Sequence, residues 1–166
     1  MAIHAGVITI SDRGYRGERE DKSGPEIIAI LKGAGIEVTM FKIIPDEKTL
    51  IKESLIDFAD NQHLALIVTT GGTGVSPRDV TPDATLEVID KEVPGMAEAM
   101  RQASAAKTPH AMISRAVAGI RGASLIVNLP GSPKAVRENL AVILQALAHA
   151  VEKIRGDDAE CISQDT

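Results

Sequence analysis

Residues 64–84 read LALIVTTGGTGVSPRDVTPDA, and the order of residue types in them decides the fold. Leu64 to Thr69 is an apolar run of strand length without polar alternation. That is the pattern of a central parallel strand covered by helices on both faces. The run breaks at Gly71, Gly72 and Gly74 and then presents Arg78, Asp79, Thr81 and Asp83 within a few residues. A hydrophobic core has no use for such a cluster. Closely spaced glycines let backbone N–H groups approach a ligand, and a strand followed by such a turn is a recurrent way of holding phosphate. The stretch therefore predicts a site for a phosphorylated ligand, against the plainer reading of a tight turn that only needed glycine.

Outward from this stretch, strands and helices alternate. Toward the N-terminus, Val7, Ile8 and Ile10 form a buried strand ending at the polar turn Ser11-Asp12-Arg13-Gly14. Arg13 to Lys22 is charged and aperiodic, either a solvated connection or a flap over a ligand. Ser23 and Glu26 have capping-box spacing and should start a helix with Ile27, Ile30, Leu31 and Ala34 on its buried face. Val38 to Ile44 is a second strand, and Asp46 is placed to cap a helix ending near Asn61. Toward the C-terminus, Thr81-Pro82 opens a short helix and Pro94-Gly95 another. Strands follow near Val117 to Arg121 and at Leu125 to Asn128, then the turn NLPGSP and a long helix closed by Gly156. The expectation is an α/β fold, a three-layer αβα sandwich with a mainly parallel sheet. It forms a single domain over residues 1–156, with a flexible tail at 157–166. In such a sheet the turns SDRG, TTGGTG and NLPGSP should converge at the C-terminal strand ends, where ligands bind.

Composition narrows the function. The chain has 166 residues and a formal net charge of −5, with its basic residues scattered. That gives no footprint for a polyanionic duplex, and three aromatics (Tyr15, Phe41, Phe58) offer no base-stacking platform, so no nucleic acid partner is expected. The single cysteine, Cys161, excludes an internal disulfide and fits a reducing cytoplasm. The N-terminal HAGVITIS reads as a strand and not as a signal peptide, and no apolar run approaches membrane-spanning length, so no membrane association is expected.

The glycine turn lacks the lysine of a P-loop and the spacing of a dinucleotide fingerprint. Asp83 in a first helical turn is accounted for by the helix dipole, but Asp79 precedes the helix. A carboxylate beside bound phosphates is electrostatically unfavourable unless a divalent cation lies between them, so Asp79 points to magnesium. Asp46, at a neighbouring strand end, is either an N-cap or the second oxygen ligand of the same metal–nucleotide complex. Positive charge for phosphate must come from Arg13, Arg78, Arg115 or Lys134.

VITISDR, IIPDE, TTGGTG with RDVTPDAT, PGMAEAMR, SRAVAGIRG and NLPGSPK, in this order and spacing, closely resemble the molybdopterin adenylyltransferase family. This is the MogA/MoaB type of molybdenum-cofactor biosynthesis protein, and the match covers nearly the whole chain. The resemblance implies that the terminal phosphate of molybdopterin attacks the α-phosphate of Mg-ATP, releasing pyrophosphate. It implies Asp46 and Asp79 as catalytic and Mg2+-binding residues. It further implies a substrate- and nucleotide-binding set of Ser11, Asp12, Gly71, Gly72, Thr73, Gly74, Thr81, Asp83, Glu98, Ser114, Arg115, Pro130, Gly131 and Ser132. A homotrimer or a dimer of trimers is implied, as is hand-over to the molybdenum-insertion protein of the same pathway. The short stretch after NLPGSPK looks more MoaB-like, which leaves a non-catalytic pterin-binding or scaffolding oligomer as the alternative. A tungsten pathway is also compatible, because the metal enters after this step.

Overall fold

The computed structural model describes residues 2–156; the expected tail at 157–166, with Cys161, lies outside the described residues. Along the chain run β1 (His4–Ile10), α1 (Asp12–Tyr15), α2 (Ser23–Gly33), β2 (Glu37–Ile44) and α3 (Lys48–Ile56), which a π-helical turn continues over Asp57–Asn61. Then come β3 (Leu66–Thr70), α4 (Thr81–Val88), β4 (Lys91–Glu92), α5 (Pro94–Ala105), a 3-10 turn (Pro109–Ile113), β5 (Ala118–Arg121), β6 (Ser124–Leu129) and α6 (Pro133–Ile154).

The strand chosen as central is central. β3 is buried at every residue and pairs in parallel with β1 on one side and β6 on the other. The six-stranded sheet has the order β2-β1-β3-β6-β5-β4, parallel over its first four strands and antiparallel over its last two pairs. β4 has no counterpart in the sequence pattern, because two exposed residues carry no periodicity.

Strand alternation sorts the core into two layers. Ala5 and Val7 of β1, Leu66 and Val68 of β3, and Leu125, Val127 and Leu129 of β6 face α2, α5 and α6, where Ile27, Leu31, Met100, Leu140 and Leu147 complete the cluster. Ile8, Ile10, Ile67 and Ile126 face the opposite way, against Ile51, Leu55 and Phe58 of the α3 region and Ala84 and Val88 of α4. Each fully buried aliphatic side chain here contributes about 1.5–3 kcal/mol relative to exposure. Both faces of β3 are thereby covered, which explains its unbroken apolar sequence.

Several local expectations are corrected, three of them in the same way: the polar side chain leaves its own helix and makes a longer-range contact. Ser23 does not form a capping box. Its hydroxyl donates to the Gly131 carbonyl at 2.6 Å, while Asp21 Oδ1 accepts the Ser23 and Gly24 amides at 3.1 and 3.0 Å. Asp21 Oδ2 also accepts the Thr9 hydroxyl at 2.8 Å. Asp46 does not cap α3, whose cap position is Glu47 without a side-chain bond. Thr81 is the first residue of α4 and not its cap; its hydroxyl donates to Gly71 O at 3.0 Å. Within the aperiodic 13–22 stretch, Asp12–Tyr15 forms one helical turn, because the Ser11 hydroxyl accepts the Gly14 amide at 3.0 Å.

Because Asp21 holds the first amides of α2, Asp21→Ala is expected to lower stability by about 1–2 kcal/mol, readable as a shifted urea midpoint at unchanged m. An unshifted midpoint would show that the helix is held by packing alone.

Candidate active site

β1, β2, β3 and β6 all run in parallel, so their C-terminal ends lie on one edge of the sheet. Between β1 and β3 the strand order changes direction, the place where an open α/β sheet leaves a crevice. A cleft of about 760 Å³ opens there, and the polar turns after β1, β2, β3 and β6 all contribute to its walls: Ser11, Asp46, Gly71, Gly72, Gly131 and Ser132. The first inference from the glycine stretch, that three separated turns share one site, describes this edge.

The turn after β3 needs glycine for a backbone reason. Gly71 and Gly72 have φ of +97° and +66°. A Cβ on Gly71 would lie 2.3 Å from the Ile10 carbonyl oxygen, and one on Gly72 would lie 2.4 Å from Thr81 Oγ1 and 3.1 Å from Asp46 Oδ1. Backbone from β1 and β3 thus approaches to a separation that no side chain permits. Thr81 fixes the turn from below, its amide donating to Gly72 O at 3.1 Å and its hydroxyl to Gly71 O. The Gly71 amide is used by Leu129 O at 3.2 Å, whereas the amides of Gly72, Thr73 and Gly74 meet no protein acceptor among the described residues. Unpaired amides on a glycine turn are suited to an anion.

Asp46 and Asp79 both line this cleft. Asp46 is held by a reciprocal pair of bonds with Asp12. The Asp12 amide donates to Asp46 Oδ2 at 2.8 Å and the Asp46 amide donates to Asp12 Oδ1 at 3.0 Å. Burial pushes the Asp46 carboxyl above the usual aspartate range; the amide of Asp12 pulls it down, and the charges of Asp12 and Asp79 push it up again. Asp12 moves the other way, lowered chiefly by its hydrogen bonds from Arg78. Arg78 Nε and Nη2 reach Asp12 Oδ2 and Oδ1 at 3.0 and 2.9 Å, and Nη2 also reaches Glu47 Oε1 at 2.8 Å. Asp12 is therefore neutralised within the protein, and Asp46 and Asp79 bring negative charge to the cleft beside the glycine turn, with Glu20 and Asp21 on another part of its lining. Among the described residues no cluster of three or more His, Cys, Asp or Glu forms a closed metal cage. Two hard oxygen donors suit Mg2+, which commonly takes one or two carboxylates and completes its shell with phosphate and water.

The family model described as "Probable molybdopterin binding domain" matches residues 6–149. The chain belongs to the molybdopterin-binding MogA/MoaB family. A molybdopterin adenylyltransferase of Helicobacter pylori J99 is 45% identical over 159 residues, 95% of this chain and 90% of that protein. The crystal structure of the molybdopterin biosynthesis enzyme MoaB of Thermus thermophilus superposes with a TM-score of 0.89 at 49% identity, covering 93% of this chain and 98% of that one. The tungsten cofactor synthesizing protein MoaB of Pyrococcus furiosus gives 0.85 at 38% identity over 93% and 98%.

Within this MogA/MoaB fold the expected binding residues fall into separate groups. Ser11, Gly71, Gly72, Gly131 and Ser132 line the cleft with Asp46 and Asp79. Ser132 also caps α6, accepting the Ala135 amide at 3.2 Å. Thr73 and Thr81 are buried behind the glycine turn. Ser114 and Arg115 line a neighbouring cavity of about 250 Å³, and Ser114 and Pro130 a third of about 200 Å³. Asp83 and Gly74 are bound to Arg115, and Glu98 is exposed on α5, lining none of these three spaces.

Two of the four cations nominated for phosphate are occupied elsewhere, Arg78 by Asp12 and Glu47 and Arg115 by Asp83. Arg19 and Lys22 line the cleft instead. They lie in the segment read as connection or flap, and only its reading as a flap signalled them. Asp21 ties that segment to β1 through Thr9, which is how its charges reach the cleft.

Proposed function

We propose that this protein adenylylates molybdopterin, using Mg-ATP, in molybdenum-cofactor biosynthesis. The observation that carries the reading is the pairing of Asp46 and Asp79 with the glycine turn in one cleft, in a chain 45% identical to a molybdopterin adenylyltransferase. In the reaction a terminal phosphate oxygen of molybdopterin attacks the α-phosphorus of ATP, the α–β bridging P–O bond breaks, and pyrophosphate leaves. Asp46 and Asp79 would hold the cation, whose chemistry is to neutralise charge on the phosphate oxygens as that bond breaks. The Gly72 amide, beside Asp46 in the cleft wall, binds and orients phosphate, and Arg19 and Lys22 offset the charge of the departing pyrophosphate. No side chain needs to act as a covalent nucleophile, since the attacking oxygen belongs to the substrate. Catalysis in such a site is positioning and electrostatics.

The homotrimer or dimer of trimers, the cytoplasmic location and hand-over of the product to a molybdenum-insertion protein belong to the same proposal. No helix among the described residues is long and apolar enough to cross a membrane. The likeness to a tungsten cofactor synthesizing protein supports a second reading that differs only downstream, in which the adenylylated pterin receives tungsten.

The deciding measurement is pyrophosphate release from ATP with purified molybdopterin. Release is expected only when molybdopterin and Mg2+ are both present, and chelation of the metal should lower it by about a hundredfold or more. Stoichiometric pterin binding without pyrophosphate would instead establish a non-catalytic binding protein.

A further inference from the structure

Asp79 lies in neither a helix nor a strand, yet the proposed chemistry needs its carboxylate fixed to within a fraction of an ångström. We propose that Arg115, braced by Asp83, is a positioning residue that sets the place of Asp79 by clamping both ends of the Gly74–Asp79 segment, and that it does so without touching phosphate.

The bonds are specific. Arg115 Nε donates to the Gly74 carbonyl at 2.9 Å and Nη2 to the Asp79 carbonyl at 2.6 Å, so one planar group ties the first and last residues of the segment. Nη1 and Nη2 also meet Asp83 Oδ1 and Oδ2 at 3.1 and 3.0 Å. Its own amide donates to Thr73 O at 2.8 Å, which joins the segment leading into β5 to the glycine turn. Between the clamped ends the segment closes on itself: the Ser76 amide donates to Asp79 Oδ2 at 2.9 Å and the Asp79 amide to Ser76 O at 3.0 Å. Asp83 is in the first turn of α4, the helix whose Thr81 carries Gly71 and Gly72, so clamp and glycine turn share one base. Arg115 lines the neighbouring cavity and not the cleft that Asp46 and Asp79 share. Its guanidinium is spent on the segment that presents Asp79.

A rigid fork is needed for this. The guanidinium reaches two carbonyls and a carboxylate in one plane, which a lysine ammonium cannot span. The mutual hydrogen bonds lower the Asp83 carboxyl and raise the Arg115 guanidinium, so the pair stays charged at neutral pH.

What Asp79 does rests on the adenylyl-transfer reading, whereas the clamp rests on geometry alone, so the test has an arm for each. Hydrogen exchange at the Ser76 and Asp79 amides needs no activity. Arg115→Ala should accelerate both by about tenfold or more, with Arg115→Lys intermediate and Asp83→Asn in the same direction. In turnover assays Arg115→Ala should lower kcat by about tenfold or more and raise the Mg2+ concentration needed, leaving affinity for ATP in EDTA within about twofold of wild type. Adding Asp83→Asn to Arg115→Ala should cost little more, because the two act as one device. Unchanged exchange in the folded variants overturns the clamp. A tenfold loss of ATP affinity in EDTA overturns the positioning role and makes Arg115 a phosphate ligand. Should Arg115→Ala not fold, Arg115→Lys and Asp83→Asn carry the same readouts. A wild-type protein without pyrophosphate release would remove the adenylyl-transfer reading and leave the exchange result to decide the clamp.

Discussion

Asp46→Asn is expected to lower adenylyl transfer by about a hundredfold or more while raising the Tm of the protein itself. The two effects have one cause. Asp46 is drawn out of water beside Asp12 and Asp79, and its carboxyl is raised by burial and then by those charges. A carboxyl whose folded pKa exceeds its unfolded value carries a stability cost. The cost is absent below the ordinary carboxylate range and sets in as pH climbs through the raised folded value. Asparagine removes that charge and keeps an oxygen to accept the Asp12 amide, now bound by Oδ2 at 2.8 Å. The Tm advantage of Asp46→Asn should therefore be full at neutral pH and vanish at acid pH. The same charge is what a cation in the cleft requires, so Mg2+ should stabilise wild type more than the variant. Wild-type turnover in Asp46→Asn, or a Tm gain independent of pH, would contradict the assignment.

Gly71→Ala should be the most damaging single methyl group near the cleft, costing about 3–5 kcal/mol. The added Cβ would stand 2.3 Å from the Ile10 carbonyl oxygen, which belongs to the backbone of β1 and cannot rotate away. The φ of +97° would in addition force alanine into a conformation that L-residues avoid. Relief requires β1 and β3 to separate at the edge that forms the cleft, so loss of stability and loss of ligand binding should appear together. Gly33→Ala is the control. It lies in α2 with nothing within 4 Å of its added Cβ, and should be neutral or stabilising by up to about 1 kcal/mol. A urea titration of the three proteins reads both effects.

Where the residue pattern records burial, it was a sound guide. The apolar run before the glycines is buried throughout as β3, and the spacing of Val136, Leu140, Ile143, Leu147 and Val151 marks the buried face of α6. Polar residues at element ends were less legible. Ser23, Asp46 and Thr81 all sit where a helix cap is reasonable, and all three reach across the fold, to Gly131, Asp12 and Gly71. Local sequence presents the capping option but cannot weigh it against partners as far as 108 residues away. Arg19 and Lys22 were legible only through the flap reading of their segment, for the opposite reason. A charged, aperiodic segment looks solvated, and bonds such as that from Thr9 to Asp21 and that from Ser23 to Gly131 hold it at the cleft.

The sequence alone determined the alternation of strands and helices, the central strand and the glycine turn at its end, because burial periodicity and glycine placement are local signals of backbone and core. Only the tertiary structure decided which charges cancel and which line the cleft. Arg78 neutralises Asp12, Arg115 is taken by Asp83 and two loop carbonyls, and Asp46 with Asp79 remains to line the cleft. Charges act through distance in space, and the folded chain alone sets that distance.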